Sequence, residues 1–379
     1  MLLEMFIKKY SWRNMFIKSS IVCIPVKKRM GDAMDVVNGS NKSISYIEEN
    51  GITVVITAFN RREFINQAID SVLKQRCLPE RFEIIIITNF DLTLPKTEVQ
   101  IRTLNIQGTM GEYLAKGLIL SKYDIVAFLE DDDVWEEDKI CGVLKTFKND
   151  KISYYHNSVE YIDTEGNRIN YRRPVEKNRR DELKSRLIDE KDKVSFIKKI
   201  LNAGADFNMS SIVINKKYYL PYTEKLREIN AGPDAFFFWI SIMGRGHIFI
   251  EPLVRTGYRV HEASTSGGTD IEKKILDKAG QKNTYSILVS ICNSLEMNVE
   301  KSNRIKEWLN LLSDEMDFLY YFFKKVNRRT VLSSLLKILR YPWSYKNTLR
   351  TRIIMIGFVY LISPKIAFLA YVVLSHGRD

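Results

Sequence analysis

Residues 130–133 are four consecutive acidic residues, Glu-Asp-Asp-Asp, and they follow an apolar run that ends at Leu129. Like charges crowded at a strand end repel one another, so a positive partner is expected beside this acidic block. A hard divalent cation, Mg²⁺ or Mn²⁺, is the natural candidate, because one or two carboxylates together with substrate phosphates commonly hold it. The alternative is the acidic first turn of a helix beginning near Trp135, where Asp and Glu interact favourably with the helix dipole. The acidity of the block fits both interpretations.

An alternation of strands and helices precedes the acidic block. Short apolar runs rich in β-branched residues, typical of strands buried on both faces, predict strands at 52–57 and 82–87. A further strand is predicted at 124–129, and residues 96–104 can hold another. Helical patterns lie between them. This order predicts an α/β fold with a parallel, right-handed, doubly wound sheet, in which ligands bind at the carboxyl ends of the strands. The sequence Thr-Ala-Phe-Asn at 57–60 and the acidic block both stand at such ends, so we expect them to share one site.

Four segments together carry a family resemblance: TAFNR at 57–61, SVLKQ at 71–75, FEIIII at 82–87 and FLEDDDVWEEDKI at 128–140. In order and spacing they resemble the nucleotide-sugar domain of family 2 glycosyltransferases, from about Gly51 to Ser266. The resemblance implies a GT-A fold, with a mainly parallel sheet and flanking helices. It also implies a nucleotide-sugar donor and a divalent metal cofactor, Mn²⁺ or Mg²⁺.

The resemblance implies roles for residues at the two strand ends. The family's Asp-x-Asp motif falls in the acidic block, so Asp132 is expected to bind the metal and Asp131 to face the donor ribose or the metal shell. Glu130 stands where many members of the family have the first Asp of the motif. The assignment of the metal ligand within the acidic block is therefore open to a shift of one position. The first strand end is expected to bind the donor through Thr57, Ala58, Phe59 and Asn60.

The sequence departs from the family after the second strand. Members usually have Asp-Asp-Gly-Ser there, with an acidic side chain bonded to the donor base, whereas this chain has Thr-Asn-Phe-Asp at 88–91. Thr88 or Asn89 can still bond a base edge, because hydroxyl and amide groups both donate and accept hydrogen bonds. The alternative for Asn89 is a simple turn residue. The donor base is therefore open, and Asn89 is the candidate contact.

A catalytic base and a second metal ligand are expected further along the chain. Inverting glycosyl transfer needs a metal to neutralise the departing diphosphate and a carboxylate to take the proton of the acceptor hydroxyl. Asp234, in AGPDAFFFW at 231–239, resembles the family's base, although Asp at a helix N-terminus is often only a cap. His261, in YRVH at 258–261, resembles the family's Tyr-Arg-x-His stretch. It is a candidate Mn²⁺ ligand or diphosphate contact, and the alternative is a hydrogen-bonded structural residue.

The net charge of +12 is concentrated near the C-terminus. Nine Lys or Arg and no Asp or Glu lie within 318–352, whereas residues 1–317 carry +2. Apolar runs at 353–363 and 366–374 follow, interrupted by Pro364. Basic residues beside apolar ones suit an anionic leaflet, so we expect an anchor or hairpin at the cytoplasmic face of the membrane, and no nucleic-acid partner. The alternatives are a spanning helix, which needs ~20 apolar residues, and a helix buried in the domain or in a dimer.

Four segments are predicted: a leader and linker at 1–50, a catalytic domain at 51–270, a basic helical extension at 271–352 and an apolar anchor at 353–379. The cysteines have no paired spacing, which argues against a disulfide framework and favours a reducing compartment. They are Cys23, Cys77, Cys141 and Cys292.

The expected function is transfer of a sugar from a nucleotide-sugar donor to a lipid-linked or cell-surface glycan acceptor. Two alternatives stay open. A sugar-phosphate nucleotidyltransferase would need a Gly-rich phosphate loop after the first strand, and TAFNRRE at 57–63 contains no glycine. The other alternative is a non-catalytic, membrane-associated scaffold of the same fold.

Overall fold

The computed structural model of the 379-residue chain describes residues 51–169, 186–261, 271–342, 345 and 348–376. The leader and linker predicted at 1–50 lie outside the described residues. So do residues 262–270 at the end of the predicted catalytic domain and residues 377–379 of the predicted anchor.

The first half of the sheet is parallel. Its strands are β1 (Ile52–Ala58), β2 (Phe82–Thr88), β3 (Ile101–Asn105) and β4 (Ile125–Glu130). They lie in the order β3-β2-β1-β4, and each neighbouring pair is parallel. Every residue of β1 and β2 is buried, as their continuous apolar runs predict.

Two helices cover opposite faces of this parallel half. They are α1 (Ile65–Leu73) and α2 (Met110–Leu120). Val54 and Ile56 of β1 pack in one core with α1, whereas Val55 packs in the other with α2. Because successive side chains of a strand point to opposite faces, a strand covered on both sides must be apolar throughout.

The second half of the sheet is mixed. Its strands are β5 (Val134–Trp135), β6 (Ile152–Ile162), β7 (Arg186–Ile188), β8 (Ile212–Asn215) and β9 (His247–Arg259). The order continues β4-β8-β6-β9-β5, with β8 antiparallel to both neighbours, β6 parallel to β9, and β7 also paired with β9. The predicted α/β fold with its mainly parallel sheet is confirmed, and antiparallel strands extend it beyond β4.

Further helices pack on the sheet or on the helices that cover it. They are α3 (Lys139–Thr146), α4 (Lys193–Asn202), α5 (Thr223–Arg227) and α6 (Pro233–Met243). Residues 235–243 of α6 are all buried, and the ring of Phe237 lies 4.8 Å from that of Phe128 in β4. An apolar helix buried on all sides is firmly placed, so the N-terminus of α6 is a fixed point relative to β4.

The C-terminal region is helical and shares the hydrophobic core of the sheet. Its helices are α7 (Ile271–Ala279), α8 (Lys282–Ser294), α9 (Val299–Phe323), α10 (Arg328–Leu339), α11 (Thr348–Ile362) and α12 (Pro364–His376). One continuous cluster of buried side chains includes α6, α8 and α9 and extends to α11 and α12. The two apolar runs of the sequence form α11 and α12, which are separate helices. Among the helices described, none is both long and apolar enough to cross a bilayer.

A disulfide joins Cys77 to Cys141, with their Cα atoms 5.1 Å apart. The expectation that the cysteines stay unpaired is therefore wrong for this pair. The loop after α1 packs against the segment before α3, where the Arg76 amide donates to the Glu137 carbonyl at 2.9 Å. A separation of 64 positions along the chain carries no information about that packing. The argument from unpaired cysteines to a reducing compartment consequently no longer holds.

Candidate active site

The carboxyl ends of β1 and β4 meet at one edge of the sheet. The strands are parallel neighbours in which Thr57 pairs with Glu130, and the Asp131 amide donates to the Thr57 carbonyl at 3.1 Å. The sequence at 57–60 and the acidic block therefore lie side by side, as the doubly wound topology predicts. The interpretation of the block as a first helical turn is wrong, because Trp135 lies in β5 and α3 begins at Lys139.

Asn60 and Asn89 join the ends of β1 and β2. The Asn60 amide donates to Asn89 Oδ1 at 2.9 Å, and Asn89 Nδ2 donates to Asn60 Oδ1 at 2.6 Å. Asn60 has a φ of 57°, a left-handed conformation that Asn adopts more readily than most residues. Beside them Phe59 is 43% exposed, whereas Thr57 and Ala58 are buried. Phe59, Asn60 and Asn89 thus face outward together, and the side chains of Thr57 and Ala58 shape the strand end from inside.

Arg61 supplies the positive charge beside the acidic block. Its Nε and Nη2 donate to the two oxygens of Asp131 at 3.1 and 2.7 Å, and its Nη1 lies 2.7 Å from Asp132 Oδ2. The same Asp132 oxygen lies 3.1 Å from His261 Nε2. Arg61 and His261 are 200 positions apart in sequence, yet these four side chains form one network.

The surroundings separate the pKa values of the three aspartates in the block. Burial raises the pKa of Asp131 to about 6, although the hydrogen bond from Arg61 opposes this shift. Burial and the charge of Asp132 raise the pKa of Asp133 to about 7. Burial also acts to raise the pKa of Asp132, but the hydrogen bond from His261 and the charge of Arg61 outweigh it and lower that pKa. Asp132 is therefore the aspartate that ionises most readily, as a metal ligand must.

Asp133 faces the protein interior. It is 1% exposed, its Oδ1 accepts from the Arg259 amide at 2.9 Å, and its Oδ2 accepts from Asn208 Nδ2 at 2.7 Å. The buried guanidinium of Arg259 donates to the Asp132 carbonyl at 2.7 Å and to Gln67 Oε1 at 2.7 Å. These bonds fix the backbone of the block, so Asp131 and Asp132 present their carboxylates at the edge.

Asp234 lies in the first turn of α6, and Asn208 connects it to the acidic block. The residue that caps the helix is Gly232, whose φ of 68° lets the chain turn into α6, so Asp234 itself is not the N-cap. Asp234 Oδ1 accepts from the Ala235 amide at 2.9 Å, and its Oδ2 accepts from the Asn208 amide at 3.1 Å. Because the Asn208 side chain donates to Asp133, a single residue positions Asp234 relative to the block.

Burial also raises the pKa of Asp234 and of Glu130. At Glu130 the charges of Asp132, Asp133 and Asp234 add to the effect of burial and hold the pKa well above its usual range. At Asp234 the backbone N–H donors oppose the shift without cancelling it. A raised pKa makes Asp234 a better proton acceptor, and it makes Glu130 a poorer metal ligand than Asp132.

The sequence-based candidates include neither Arg61 nor Asn208. Arg61 directly follows the sequence at 57–60, and the repulsion expected within the acidic block requires a positive partner, so a usable signal for Arg61 exists. Asn208, with a φ of 71°, precedes the short 3₁₀ helix Met209–Ser211 that leads into β8. No local pattern relates it to Asp133, which is 75 positions away.

Asp132 and His261 are close enough to share one cation. Their Oδ2 and Nε2 atoms lie at a hydrogen-bond distance of 3.1 Å, and neighbouring ligands ~2.1 Å from an octahedral Mg²⁺ would lie ~3.0 Å apart. In the described part of the chain, no group of three or more His, Cys, Asp or Glu is placed to hold a metal ion. A cation between these two atoms would need water or phosphate oxygens as its other ligands, which is the usual arrangement for Mg²⁺ in enzymes.

The sequence matches a known enzyme family. The family described as Glycosyl transferase family 2 matches residues 53–203. A curated relative, an "Uncharacterized glycosyltransferase" of Rickettsia felis (strain ATCC VR-1525 / URRWXCal2), is 30% identical over 156 residues, which cover 38% of this chain and 24% of the relative. The chain therefore spans about a quarter of the length of this curated relative.

Solved structures of S. aureus TarS have a similar fold. The crystal structure of TarS 1–349 aligns with a TM-score of 0.53 at 10% identity and covers 86% of this chain and 92% of that chain. The crystal structure of the same fragment in complex with UDP-GlcNAc gives the same TM-score of 0.53. At this identity the similarity shows the fold alone. Residues 53–203 thus match the model of Glycosyl transferase family 2, and the chain has a GT-A type fold similar to that of TarS.

Proposed function

We propose that this protein is a glycosyltransferase that moves a sugar, with inversion, from a nucleotide-sugar donor to a lipid-linked or cell-surface glycan. The observation that carries the proposal is the link between the acidic block and Asp234, in which Asn208 donates to Asp133 through its side chain and to Asp234 through its backbone amide. Asp132 has a lowered pKa and a His partner, whereas Asp234 has a raised pKa and is tied to the same block through Asn208. Carboxylates whose environments push their pKa values apart suit a division of labour between ion binding and proton transfer.

Each side chain at the edge has a role in this proposal. Asp132 and His261 would hold the divalent cation, and Asp131 would face the donor ribose. Asp234 accepts the proton of the acceptor hydroxyl, and its two backbone N–H partners keep its carboxylate in place. A bound cation would neutralise the negative charge of the departing diphosphate.

The donor we propose is a uridine diphosphate sugar. TarS, which shares the fold, has been crystallised with UDP-GlcNAc and with UDP. Asn60 and Asn89 present amide groups beside the exposed ring of Phe59, so the edge offers donors, acceptors and an apolar surface to a pyrimidine base.

A non-catalytic scaffold of the same fold is the weaker candidate. Asp131, Asp132 and Asp133 are at most 8% exposed, and burying several neighbouring carboxylates is costly. A non-catalytic scaffold has no use for buried carboxylates that destabilise the fold. Strongly perturbed carboxylates at a strand end are, in contrast, typical of functional sites.

A thermal-shift screen of the full chain tests the proposed function. With Mn²⁺ present, one nucleotide sugar among UDP, GDP and dTDP donors is expected to raise the melting temperature, because a ligand at 100 times its Kd adds ~2.7 kcal/mol to stability. EDTA is expected to remove most of the increase. A UDP-sugar shift with donor hydrolysis would support the proposal, whereas no shift with any donor would contradict it.

We further propose that an anionic membrane surface at the cytoplasmic face binds α10 to α12. The outward faces of these helices expose large apolar side chains, the most exposed of which is Ile362 at 84%. These side chains are Leu336, Leu339, Met355, Phe358, Leu361, Ile362, Ile366 and Leu369. Exposed basic residues lie on or near α10: Lys324, Lys325, Arg328, Arg329, Lys337 and Arg340.

Apolar and basic side chains on one surface are the combination that binds anionic lipid. The inward faces of α11 and α12 are already covered, since Phe322 of α9 contacts Tyr360 and Tyr371 at 5.7 and 6.1 Å between ring centroids. A membrane-bound enzyme also gains from an acceptor confined to the same plane, which favours a lipid-linked acceptor.

Vesicle flotation tests the membrane proposal. The full chain is expected to float with phosphatidylserine-containing vesicles at both low and 1 M salt. A variant with Phe358→Ser, Ile362→Ser and Leu369→Ser is expected to float only at low salt, because its remaining attraction is electrostatic and the Debye length at 1 M is ~3 Å. Deleting α11 and α12 would be a poorer test, because it would expose the buried ring of Phe322 in α9 and so create a new apolar surface.

The matched control replaces exposed apolar residues elsewhere. Leu253 and Val299 are 55% and 73% exposed, and Leu253→Ser with Val299→Ser is expected to leave flotation unchanged. If the full chain remains unbound with anionic vesicles at low salt, the exposed face is an interface with protein rather than with lipid.

A further inference from the structure

Arg61 bonds to the same oxygen that is proposed to bind the cation. Its Nη1 lies 2.7 Å from Asp132 Oδ2 and 3.4 Å from His261 Nε2, so it faces both proposed ligand atoms. A cation bound by both atoms on the side that Nη1 occupies would lie in contact with this N–H group. Because both are positive, the cation and the guanidinium repel each other and compete for that oxygen.

The rest of the guanidinium is held independently of Asp132. Nε and Nη2 make a bidentate pair with Asp131 at 3.1 and 2.7 Å. This geometry allows Nη1 to leave Asp132 while Arg61 stays at the strand edge. The pair is also partly desolvated, since the side chains of Arg61 and Asp131 are 26% and 3% exposed, and charge-assisted bonds are strong in such surroundings.

We propose that Arg61 is the resident counter-ion of the acidic block and also binds the donor diphosphate. Before the cation binds, Arg61 neutralises Asp131 and Asp132 and so prevents their repulsion. With a cation held at Asp132 Oδ2, Nη1 would be free to donate to a diphosphate oxygen, a partner that suits the planar guanidinium fork. The inference rests on the proposed function, because it takes Asp132 and His261 as ligands.

This arrangement couples cation binding to donor binding. The cation alone must displace Nη1 from Asp132, which weakens its binding. With the diphosphate present, Nη1 gains a replacement partner, so each ligand is expected to strengthen the binding of the other by the same factor. Direct contact between the cation and the diphosphate would couple the two ligands in any case, and a purely structural Arg61 would add nothing to that coupling.

Isothermal titration of the full chain with Mn²⁺ and with UDP tests the inference. Arg61→Gln removes the competitor, so we expect Mn²⁺ to bind about tenfold more tightly in the absence of UDP, which corresponds to the loss of one charge-assisted bond. At saturating Mn²⁺ the same variant is expected to bind UDP about tenfold more weakly. The two changes have opposite signs, which distinguishes them from general damage to the site.

The matched control is Arg62→Gln, which removes the same charge at the neighbouring position. Arg62 is exposed and lies over the ring of Phe90 at 4.7 Å, so its removal is expected to leave both affinities unchanged. If Arg61→Gln and Arg62→Gln increase the Mn²⁺ affinity equally, the increase comes from the change in net charge alone, and the inference is overturned.

Arg61→Lys provides a second variant if Arg61→Gln does not fold without metal. Lys keeps the charge but cannot hold Asp131 and Asp132 with one planar group, so its Mn²⁺ affinity is expected to lie above that of the wild type. If the wild type binds Mn²⁺ and UDP but both Arg61 variants bind Mn²⁺ no more tightly, the Arg61 inference alone is overturned. If the wild type binds neither ligand, the proposed function fails as well.

Discussion

Asp132→Ala is expected to abolish Mn²⁺-dependent binding of UDP and to lower sugar transfer at least ~10³-fold. Losing the cation removes several kcal/mol of charge stabilisation from the transition state, and each ~1.4 kcal/mol is a factor of ten in rate. The fold is expected to persist, because Asp131 keeps its bidentate pair with Arg61 and Asp133 keeps its bond to the Arg259 amide. Calorimetric titration of UDP with Mn²⁺, a transfer assay and a melting curve measure these three expectations.

The control for this prediction is a carboxylate from the same segment that lies away from the strand edge. Glu137 is 58% exposed and pairs with Arg76, so Glu137→Ala is expected to leave Mn²⁺-dependent binding and transfer unchanged. Metal-dependent turnover by Asp132→Ala near the wild-type rate would remove Asp132 from the site.

Asp234→Asn is expected to lower transfer by ~10²-fold or more while UDP affinity stays nearly unchanged. An amide cannot take the proton of the acceptor hydroxyl, and general base catalysis contributes about this much to rate. The structure adds a stability cost, because both Asp234 oxygens accept from backbone N–H groups and an Asn side chain has one oxygen. The lost acceptor is expected to cost ~1–3 kcal/mol, so specific activity must be measured on folded protein.

The pH profile separates a base from a merely structural carboxylate. Burial raises the pKa of Asp234, partly offset by its backbone N–H donors and the charge of Lys278. A base works in its deprotonated form, so the wild-type transfer rate is expected to rise with pH through this raised pKa, and Asp234→Asn is expected to lose that limb.

Asp192→Asn is a matched control at another helix N-terminus. Asp192 is the N-cap residue of α4, and its substitution is expected to leave the transfer rate and its pH profile unchanged. Wild-type specific activity in folded Asp234→Asn, with a lower melting temperature, would assign Asp234 a structural role instead.

The sequence alone predicts the parallel half of the fold with little error. The strand predicted at 52–57 is observed as β1, Ile52–Ala58, and that at 124–129 as β4, Ile125–Glu130. The prediction succeeds because a strand covered on both faces needs apolar residues at every position, which is a local pattern. The strand predicted at 96–104 is observed as Ile101–Asn105, in which every residue is exposed or only partly buried, and its sequence pattern is weaker.

The sequence also determines that one ligand site lies at this sheet edge. Parallel neighbouring strands must bring their carboxyl ends together, so the order of the elements is sufficient to place residues 57–60 beside residues 130–133. The apolar segment that follows Asp234 likewise predicts a buried helix, and α6 is buried from Ala235 onward. These conclusions depend on periodicity and connectivity, which one sequence contains.

Only the tertiary structure determines how the four carboxyl groups of the acidic block differ in burial and in partners. Four adjacent carboxyl groups look alike in sequence, but the fold buries Asp133 against Arg259 and Asn208 and sets Asp132 between Arg61 and His261. Their charge states depend on desolvation and on partners brought from distant positions, and neither is encoded in spacing along the chain. The pairing of Cys77 with Cys141 was missed for the same reason, because contacts between elements that pack together leave no local pattern in the sequence.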